Sequence, residues 1–456
     1  MQTTTDADLP SPLLSRRHFL QKSSLAAAGA ATAAHLPFVI TAHAAADDPI
    51  RVGVIGCGGR GTGAVLNILG AATDVIYPAA GYHTEDAKPG TTATRKGIEV
   101  VALADVFPDR LAACRRNLQN LAEPIRILDD HCFTGFDAAD RLLSLPDVNY
   151  VILATPPYFR PAQLTAAVQS GKHVFMEKPV AVDAPGVRMV IAAGELAKQK
   201  GLGIAAGTQR RHQRCYQETI RRLHDGMIGE IVEARAYWNG GEIWVIERKD
   251  GWTDMEWQLR NWNYFTWVGG DHIVEQHMHN LDVINWVLNA HPIRAIGQGG
   301  RQARTAKVHG HIYDHFAVEF EYPGGVRMFS QCRQINNCDN KVEEAVVGTK
   351  GTSNCENWIR PATGAPWRFR ERDVNPYEQE HVNLINSIRQ GQPINEARNI
   401  AESTLVGILG RESAYSGRTL TWDQVYNSTM KLGPERLEFG SLPFPEVAIP
   451  GRYQFL

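Results

Sequence analysis

Three histidines and one glutamate lie within twelve residues in the second half of the chain, in the stretch GGDHIVEQHMHN at 269–280. Such side chains can hold a metal ion, transfer protons, or belong to an ordinary helix. The order H-x-x-E-Q-H-x-H differs from the H-E-x-x-H of zinc proteases, and His277 and His279 face different sides of a helix. The spacing therefore disfavours a metal site and leaves the other two alternatives open.

A glycine-rich turn, GCGGRG, follows the apolar run RVGVI and precedes a helical pattern. In that context a G-x-G-x-x-G motif is typical of dinucleotide-binding βαβ units. Gly56 permits the tight turn, Gly58 lets the backbone approach a pyrophosphate, and Gly61 lets helix and strand pack closely. We predict that the phosphates bind at the helix start, around Gly59 and Arg60. The alternative is a glycine-rich turn in another kind of α/β protein.

An acidic residue at the end of the second strand indicates which dinucleotide binds. Asp105, in EVVALADV, is the candidate that bonds the ribose hydroxyls. It comes later than usual after the glycines because the polar segment 73–97 has the composition of a surface insertion. A carboxylate at this position repels a 2′-phosphate, so NAD is favoured over NADP, while the nearby Arg110 keeps NADP open.

Short β-branched runs alternate with helical stretches from residue 49 onward, which is typical of βαβ units around a parallel sheet. The predicted strands are 50–55, 98–104, 149–154, 173–176 and 201–205, and the predicted helices are 62–69, 108–121, 138–145, 161–170 and 184–200. A further helix is predicted at 212–225, followed by strand-like runs at 230–238, 315–322, 325–333 and 342–347. Adjacent runs of this kind indicate a mostly antiparallel sheet with helices on one side.

The expected fold class is therefore α/β, with an N-terminal Rossmann domain built on a doubly wound parallel sheet. A C-terminal α+β domain with a large, mostly antiparallel sheet follows it. The predicted limits are 47–210 for the first domain, 211–440 for the second and 441–456 for a tail. At 456 residues the chain is long enough for two hydrophobic cores.

The first forty-six residues have the composition of a leader. Two arginines, Arg16 and Arg17, precede an alanine-rich apolar run that ends in small residues near Ala44. This order predicts a twin-arginine export signal at 1–46 and a periplasmic or otherwise exported protein that needs no membrane once the signal is removed. The chain has seven cysteines without a CxxC pair, so we expect free thiols, although export would permit a disulfide.

The charge balance points to small-molecule partners. The 47 basic and 49 acidic residues form no long block of one sign, so no nucleic-acid surface is expected. Six of the ten tryptophans fall within residues 238–267. Flat indole faces pack against sugar rings, although tryptophans also fill domain junctions. Trp262 and Tyr264 are the candidates for contact with substrate.

Two motifs lie at the ends of the predicted strands 149–154 and 173–176, Ala154-Thr155-Pro156-Pro157 and Glu177-Lys178-Pro179. Together with the glycine turn and the G-G-x-x-x-x-[DE]-x-x-x-H-x-x-D run at 269–282, they resemble the glucose-fructose oxidoreductase and inositol dehydrogenase family, Gfo/Idh/MocA. The resemblance covers roughly residues 49–440. It implies that Thr155, Pro156 and Glu177 line the cofactor and that Lys178 contacts both the nicotinamide ribose and the substrate.

The resemblance also assigns roles within 269–282. The family has an aspartate followed four residues later by a histidine, and the matching positions here are Glu275 and His279. It implies that His279 takes the substrate proton and that the carboxylate orients the ring, with glutamate in place of aspartate as a departure. Asp282 is a further candidate for the substrate side, whereas His272 and His277 are expected to be structural.

These expectations lead to an exported NAD(P)-dependent oxidoreductase that transfers hydride from a sugar, polyol or sugar derivative to a tightly held cofactor. The predicted catalytic residues are Lys178, His279 and Glu275, and either His279 or Lys178 removes the hydroxyl proton. Two alternatives remain. One resembles the family's NAD-dependent glycosidases or lyases, in which transient oxidation of the sugar permits elimination, and the other is a non-catalytic sugar-binding protein. The resemblance also implies a homo-oligomer, either a dimer or a tetramer.

Overall fold

The computed structural model describes residues 48–71, 74–76, 84–86 and 88–455. The predicted leader at 1–46 and part of the predicted insertion at 73–97 lie outside the described residues. The described part of that insertion includes a short antiparallel pair, β2 and β3, whose backbone register pairs residue Asp74 with residue Asp86.

The N-terminal half is built on a six-stranded sheet in which every pairing is parallel. The strands of this half are β1 (Ile50–Ile55), β2 (Asp74–Ile76), β3 (Thr84–Asp86), β4 (Ile98–Asp105), β5 (Cys132–Thr134), β6 (Tyr150–Leu153), β7 (His173–Met176) and β8 (Ile204–Ala206). The pair β2 and β3 is separate from the six-stranded sheet. The order across the sheet is β5-β4-β1-β6-β7-β8, the doubly wound arrangement with its crevice where the order reverses between β1 and β6. Runs such as IRVGVI and YVIL are buried almost throughout, because helices cover both faces of the sheet.

Five α-helices connect these strands within the described residues. They are α1 (Gly59–Leu69), α2 (Pro108–Gln119), α3 (Ala138–Leu143), α4 (Arg160–Gln169) and α5 (Ala184–Gln199). Their starts carry local signals: proline occupies the first turn of α2, α4 and α5, where its missing N–H costs nothing. The Asp183 side chain caps α5 by accepting from Gly186 N at 2.8 Å.

The C-terminal half is built on a nine-stranded sheet. Its strands are β9 (Ile231–Gly240), β10 (Arg294–Gly300), β11 (His315–Glu321), β12 (Arg327–Gln334), β13 (Lys341–Gly348), β14 (Gly351–Ser353), β15 (Trp358–Pro361), β16 (Trp367–Arg368) and β17 (Leu420–Thr421). The order is β16-β15-β14-β13-β9-β12-β11-β10-β17, and only the β9–β12 pairing is parallel. Alternating burial, as in β11 and β12, shows that one face packs on the core and the other is exposed.

Helices cover the inner face of this sheet and join the two halves. They are α6 (Arg214–His224), α7 (Asp254–Arg260), α8 (Thr266–Gly269), α9 (His272–Glu275), α10 (Met278–Leu288), α11 (Pro376–Arg389), α12 (Ala397–Ser416) and α13 (Trp422–Tyr426). The long α12 is buried along most of its length and contacts both α5 and β10. One cluster of buried apolar side chains therefore runs from the parallel sheet to the nine-stranded sheet.

The predicted fold class is confirmed, whereas the limits of the two domains stay predictions. Several predicted elements end within a few residues of those observed, but the short β5, the glycine-rich β10 and the small strands β14 to β17 were missed. Their brevity and glycine content leave too few alternating side chains to mark a strand. The largest error concerns 269–282: the expected single helix is two helices, α9 and α10, separated at Gln276 and His277.

All seven cysteines are free thiols. Among the described residues, no helix combines the length and the apolar character needed to cross a bilayer.

Candidate active site

The glycine turn between β1 and α1 has three glycines in three different environments. Gly56 adopts a positive φ of 95°, and a Cβ there would lie 2.6 Å from Thr155 N. A Cβ on Gly61 would lie 1.8 Å from Gly56 O, so helix and strand pack too closely for any side chain. A Cβ on Gly58 would meet no atom within 4 Å, because this position faces an open cavity. The turn therefore has the shape that a pyrophosphate requires.

Asp105 ends β4 beside this turn and is buried. Its Oδ2 accepts from Cys57 N at 2.7 Å and its Oδ1 accepts from Phe107 N at 2.8 Å, which fixes the carboxylate at the cavity wall. Burial raises the pKa of Asp105, while the positive charge of Arg110 opposes that shift. Asp105 therefore lies at the cavity wall beside the glycine turn, and its contact with the ribose stays a prediction.

The β6 and β7 ends supply the next part of the wall. Thr155 Oγ1 donates to Gln163 Oε1 at 2.6 Å, and Pro156 lines the cavity beside it. Glu177 is buried and pairs with Arg60, whose Nε lies 2.8 Å from Glu177 Oε1. Arg60 thus links the glycine turn of β1 to the end of β7 across the crevice.

Lys178 follows Glu177 and reaches from the parallel sheet to the C-terminal half. Its Nζ donates to the backbone oxygen of Glu275 at 2.6 Å and lies 3.0 Å from Glu275 Oε1. The Glu275 carbonyl is available because the helix breaks immediately after it: His279 N donates to Gln276 O at 3.4 Å and not to Glu275 O. The break between α9 and α10 therefore creates the acceptor that holds Lys178.

This geometry corrects the predicted role of Glu275. The expected carboxylate–imidazole pair assumed one continuous helix, in which residues four apart share a face. In the structure Glu275 pairs with Lys178, and among the described residues no hydrogen bond joins it to His279. Glu275 is therefore a partner of the lysine, and both residues line the cavity.

His279 lines the same cavity and is only 8% exposed. Its ring stacks on Trp238 with centroids 5.9 Å apart and planes at 25°. Burial, together with the positive charges of Lys178 and Arg210, holds the pKa of His279 well below its ordinary value. The imidazole is therefore neutral at ordinary pH and can accept a proton.

The other two histidines of the motif are buried in the scaffold. His272 Nδ1 lies 2.9 Å from Asp271 Oδ1, and His277 Nε2 lies 2.7 Å from Ser330 Oγ. Neither lines the cavity. Within the described part of the chain, no group of three or more His, Cys, Asp or Glu side chains is arranged to hold a metal ion.

The tryptophan-rich segment divides between cavity and core. Trp238, Trp244 and Trp262 line the cavity, and the last two meet edge to face with centroids 6.0 Å apart. Trp257 and Trp267 are buried in an aromatic cluster and donate their indole N–H groups to Ile246 O and Gln258 Oε1.

Two of the predicted substrate contacts are corrected. Tyr264 is fully buried and does not line the cavity; its hydroxyl donates to Ile243 O at 3.1 Å. Asp282 lies one helical turn beyond His279, where it forms two 2.8 Å hydrogen bonds with Arg211 and accepts from Ser403 at 2.7 Å. Both are structural, because each side chain is directed into packed protein.

All of these walls surround one cavity of about 490 Å³. It extends from Asp105, past the glycine turn, to Lys178 and His279, and so joins the parallel sheet to the C-terminal half. At the Asp105 end, a C-terminal strap (residues 432–444) packs over the wall. Phe439 of the strap lies 6.0 Å from the Phe107 ring and 5.0 Å from the Phe136 ring, and both of these rings line the cavity.

Two family models match the chain. Residues 50–208 match "Oxidoreductase family, NAD-binding Rossmann fold", and residues 216–354 match "GFO/IDH/MocA C-terminal domain". The chain belongs to the Gfo/Idh/MocA family. Its NAD-binding Rossmann domain confirms the predicted cofactor, and the glycine turn and Asp105 stay the residues predicted to hold it. The strap lies beyond the residues that either family model matches.

Individual relatives are distant. A 2,7-anhydro-N-acetylneuraminate hydratase of Escherichia coli (strain K12) is 25% identical over 209 residues, which cover 46% of this chain and 50% of that protein. An inositol 2-dehydrogenase of Pseudomonas savastanoi pv. phaseolicola (strain 1448A / Race 6) is 26% identical over 310 residues, which cover 65% of this chain and 81% of that protein. The match thus spans only half the length of the first relative.

A solved structure shows the same fold. The aldose-aldose oxidoreductase from Caulobacter crescentus, complexed with glycerol, superimposes with a TM-score of 0.60 at 17% identity. The match covers 82% of this chain and 99% of that one.

The sequence motifs of this Gfo/Idh/MocA chain did not reveal every residue of the site. Four further residues line the cavity: Trp238 on β9, Gln209 after β8, Gln276 at the helix break and Tyr377 on α11. Arg160 at the start of α4 also lines it. Sequence signals existed for three of these residues: Arg160 closely follows the Thr-Pro-Pro motif at the end of β6, Trp238 begins the tryptophan-rich segment 238–267, and Gln276 lies within the run at 269–280.

Proposed function

We propose that the chain is an NAD-dependent oxidoreductase that acts on a CH–OH group of a sugar, a polyol or a sugar derivative. The observation that carries this proposal is the convergence of Lys178 and His279 on the cavity that also contains the glycine turn and Asp105. An ammonium, a neutral imidazole and a dinucleotide cradle in one cavity are the groups that alcohol oxidation needs.

When bound, the nicotinamide accepts the hydride; the protein's own groups handle the proton. Lys178 uses two of its three donors on Glu275, which leaves the third for the substrate oxygen. His279 is neutral because burial holds its pKa low, so it accepts the hydroxyl proton. The lysine charge stabilises the oxygen as it becomes negative.

The substrate side of the cavity has the character of a carbohydrate site. Three indole rings, from Trp238, Trp244 and Trp262, provide flat apolar walls. Amide side chains, among them Gln209 and Gln276, provide donors and acceptors for hydroxyl groups. The names of the relatives, an inositol dehydrogenase and an aldose-aldose oxidoreductase, support a substrate of this class.

We also propose export through the twin-arginine route and a cofactor that stays bound. The leader pattern at 1–46 supports the first, and the strap supports the second. Leu432 N donates to Asp183 Oδ2 at 2.9 Å, and Leu442 N donates to Asp254 Oδ2 at 3.1 Å, so the strap is fastened to both halves of the molecule. A fusion of residues 1–46 to a reporter in cells with and without a twin-arginine translocase tests export.

A homo-oligomer, a dimer or a tetramer, is the proposed assembly. The outer face of the nine-stranded sheet exposes Phe329 and Ile296, with relative exposures of 44% and 51%. Light scattering of the purified protein measures the state.

The first test of the function asks whether the mature protein carries a nucleotide. A sample is denatured to release any bound nucleotide, and the supernatant is analysed by chromatography. Native protein is then assayed on a panel of sugars, polyols and glycosides, with and without added NAD. We expect bound NAD or NADH, and formation of a carbonyl product from at least one sugar or polyol. Absence of both nucleotide and nucleotide binding would contradict an enzymatic function and would favour a sugar-binding protein.

A redox-neutral reaction is the second candidate. The name of the E. coli relative, a hydratase, supports it, because hydration involves no net oxidation. Lys178 and His279 can also remove the proton from a carbon next to a transient ketone, which permits elimination of a glycosidic oxygen. Cleavage of a glycoside without net NADH would favour this lyase or glycosidase over the simple dehydrogenase.

A further inference from the structure

Arg160 is a buried cation in the wall of the active-site cavity. It is the first residue of α4, shortly after the end of β6, and is only 4% exposed. One amino group, Nη1, donates to the backbone oxygen of Pro179, the residue after Lys178. Arg160 therefore lies at the catalytic end of the cavity, beside the lysine that faces the substrate.

No carboxylate of the described residues forms an ion pair with Arg160, and its Nε has no hydrogen-bond partner among them. The neighbouring cations differ in this respect. Lys178 is paired with Glu275, and Arg60 is paired with Glu177. Burial lowers the pKa of Arg160 to about 10, and the more distant charges of Glu177 and Glu275 only partly oppose this. Arg160 therefore remains a cation at neutral pH, and no carboxylate of the described residues forms an ion pair that balances its charge.

The cofactor does not provide the missing anion. Its phosphates belong at the glycine turn, where Gly58 is open and Arg60 is present. Arg160 lies instead between the ends of β6 and β7, beside Thr155 and Lys178, at the nicotinamide end. The carboxylates of Glu177 and Glu275 are already paired with Arg60 and Lys178, and oxidised nicotinamide is itself a cation, so the substrate is the ligand that can supply an anion to Arg160.

We propose that Arg160 binds a carboxylate of the substrate, so that this enzyme acts on an acidic sugar such as a uronic acid. The inference rests on the proposed oxidoreductase function and narrows its substrate class. A guanidinium presents several N–H donors in one plane and suits a carboxylate. A single unpaired cation balances the single charge of a carboxylate, whereas a phosphate monoester carries more charge than Arg160 alone can balance.

The test compares sugars that differ only in the acidic group. NAD-loaded protein is titrated with D-glucuronate and D-glucose, and with D-galacturonate and D-galactose, using the fluorescence of the cavity tryptophans. We expect at least one acid to bind about tenfold or more tightly than its neutral partner. In Arg160→Gln this preference should disappear while NAD binding stays unchanged, and Arg160→Lys should restore part of it.

The matched control is Arg116→Gln, which removes an exposed arginine from α2 and should leave the preference intact. Equal binding of each acid and its neutral partner by the wild-type protein would overturn the proposal, even if Arg160→Gln fails to fold. Tighter binding of glucose 6-phosphate than of either acid would also overturn it, as would equal weakening of acid and neutral sugar in Arg160→Gln. Turnover of neutral sugars alone would leave the oxidoreductase function standing while refuting the acidic substrate.

Discussion

His279 combines three properties that few side chains of the molecule share: it lines the cavity, it is buried, and it is held neutral. Its pKa lies well below the ordinary value because burial and two nearby cations disfavour the protonated ring. This environment keeps the ring unprotonated before the reaction, even in mild acid.

We therefore expect His279→Ala to lower kcat by about 100-fold or more, since a positioned base typically contributes that much. Nucleotide binding should stay near the wild-type value, because the cofactor walls are elsewhere. In wild-type protein, kcat/KM should not fall between about pH 7 and pH 6, the interval in which an ordinary histidine becomes charged.

Steady-state kinetics on the substrate found in the panel, together with NAD titration, check this expectation. His224→Ala, at an exposed position on α6, is the control and should keep full activity. Unchanged kcat in His279→Ala would remove this residue from the mechanism. An acid limb in kcat/KM of the wild-type protein centred near pH 6.5 would contradict the neutral state of His279.

In the turn between β1 and α1, one glycine leaves space for the cofactor and another permits the helix to pack on the strand. Gly58 and Gly61 are three residues apart, yet a Cβ on Gly58 would enter the open cavity and a Cβ on Gly61 would collide with the Gly56 carbonyl. Gly58 has a φ of −69°, which alanine adopts without strain.

Gly58→Ala should therefore keep the melting temperature of the wild type and bind NAD about tenfold or more weakly, because the methyl group occupies the space of the pyrophosphate. Gly61→Ala should lower the melting temperature by forcing α1 away from β1. Calorimetry of the nucleotide-free protein and titration with NAD measure the two effects. Equal loss of stability in both variants would refute the separation.

Elements with regular periodicity could be predicted from the sequence, and elements that depend on distant contacts could not. The parallel strands are indicated by continuous apolar runs, and their helices by helical periodicity and by capping residues. The break between α9 and α10 has no such local signal, because it is stabilised from elsewhere: Gln276 accepts from Gln334 at 2.8 Å, and Ser330 holds His277. Residues 334 and 330 both lie on β12, so only the folded sheet shows why the helix stops.

The candidate site divides in the same way. Gly56, Gly58 and Asp105 could be located because their roles require fixed positions at strand ends. Gln209 and Tyr377 could not, since neither belongs to a sequence motif and both reach the cavity only through tertiary packing. Asp282 was misassigned because closeness in sequence to His279 does not show which face of α10 turns towards the cavity.

The molecule as a whole buries several histidines in their neutral form. The pKa of His277 is lowered to about 3 and that of His311 to about 4, mainly by burial, and burial also lowers the pKa values of His279 and His381. In the unfolded chain each ring takes up a proton near pH 6.5. Stability contributed by these rings is therefore fully present above about pH 6.5 and is lost as pH falls towards the folded pKa values.

Each of these histidines should reduce the free energy of unfolding by up to about 1.4 kcal/mol per pH unit within that window. Four such groups predict a marked fall in melting temperature between about pH 7 and pH 5, before the carboxylates with ordinary pKa values begin to titrate. Calorimetry over this range measures the fall.

His277→Asn, which keeps a polar partner for Ser330, should be less stable at pH 7, but its melting temperature should depend less steeply on pH. The exposed control His224→Asn should keep the wild-type slope, and an identical slope in both variants would show that burial of neutral histidines does not govern acid unfolding.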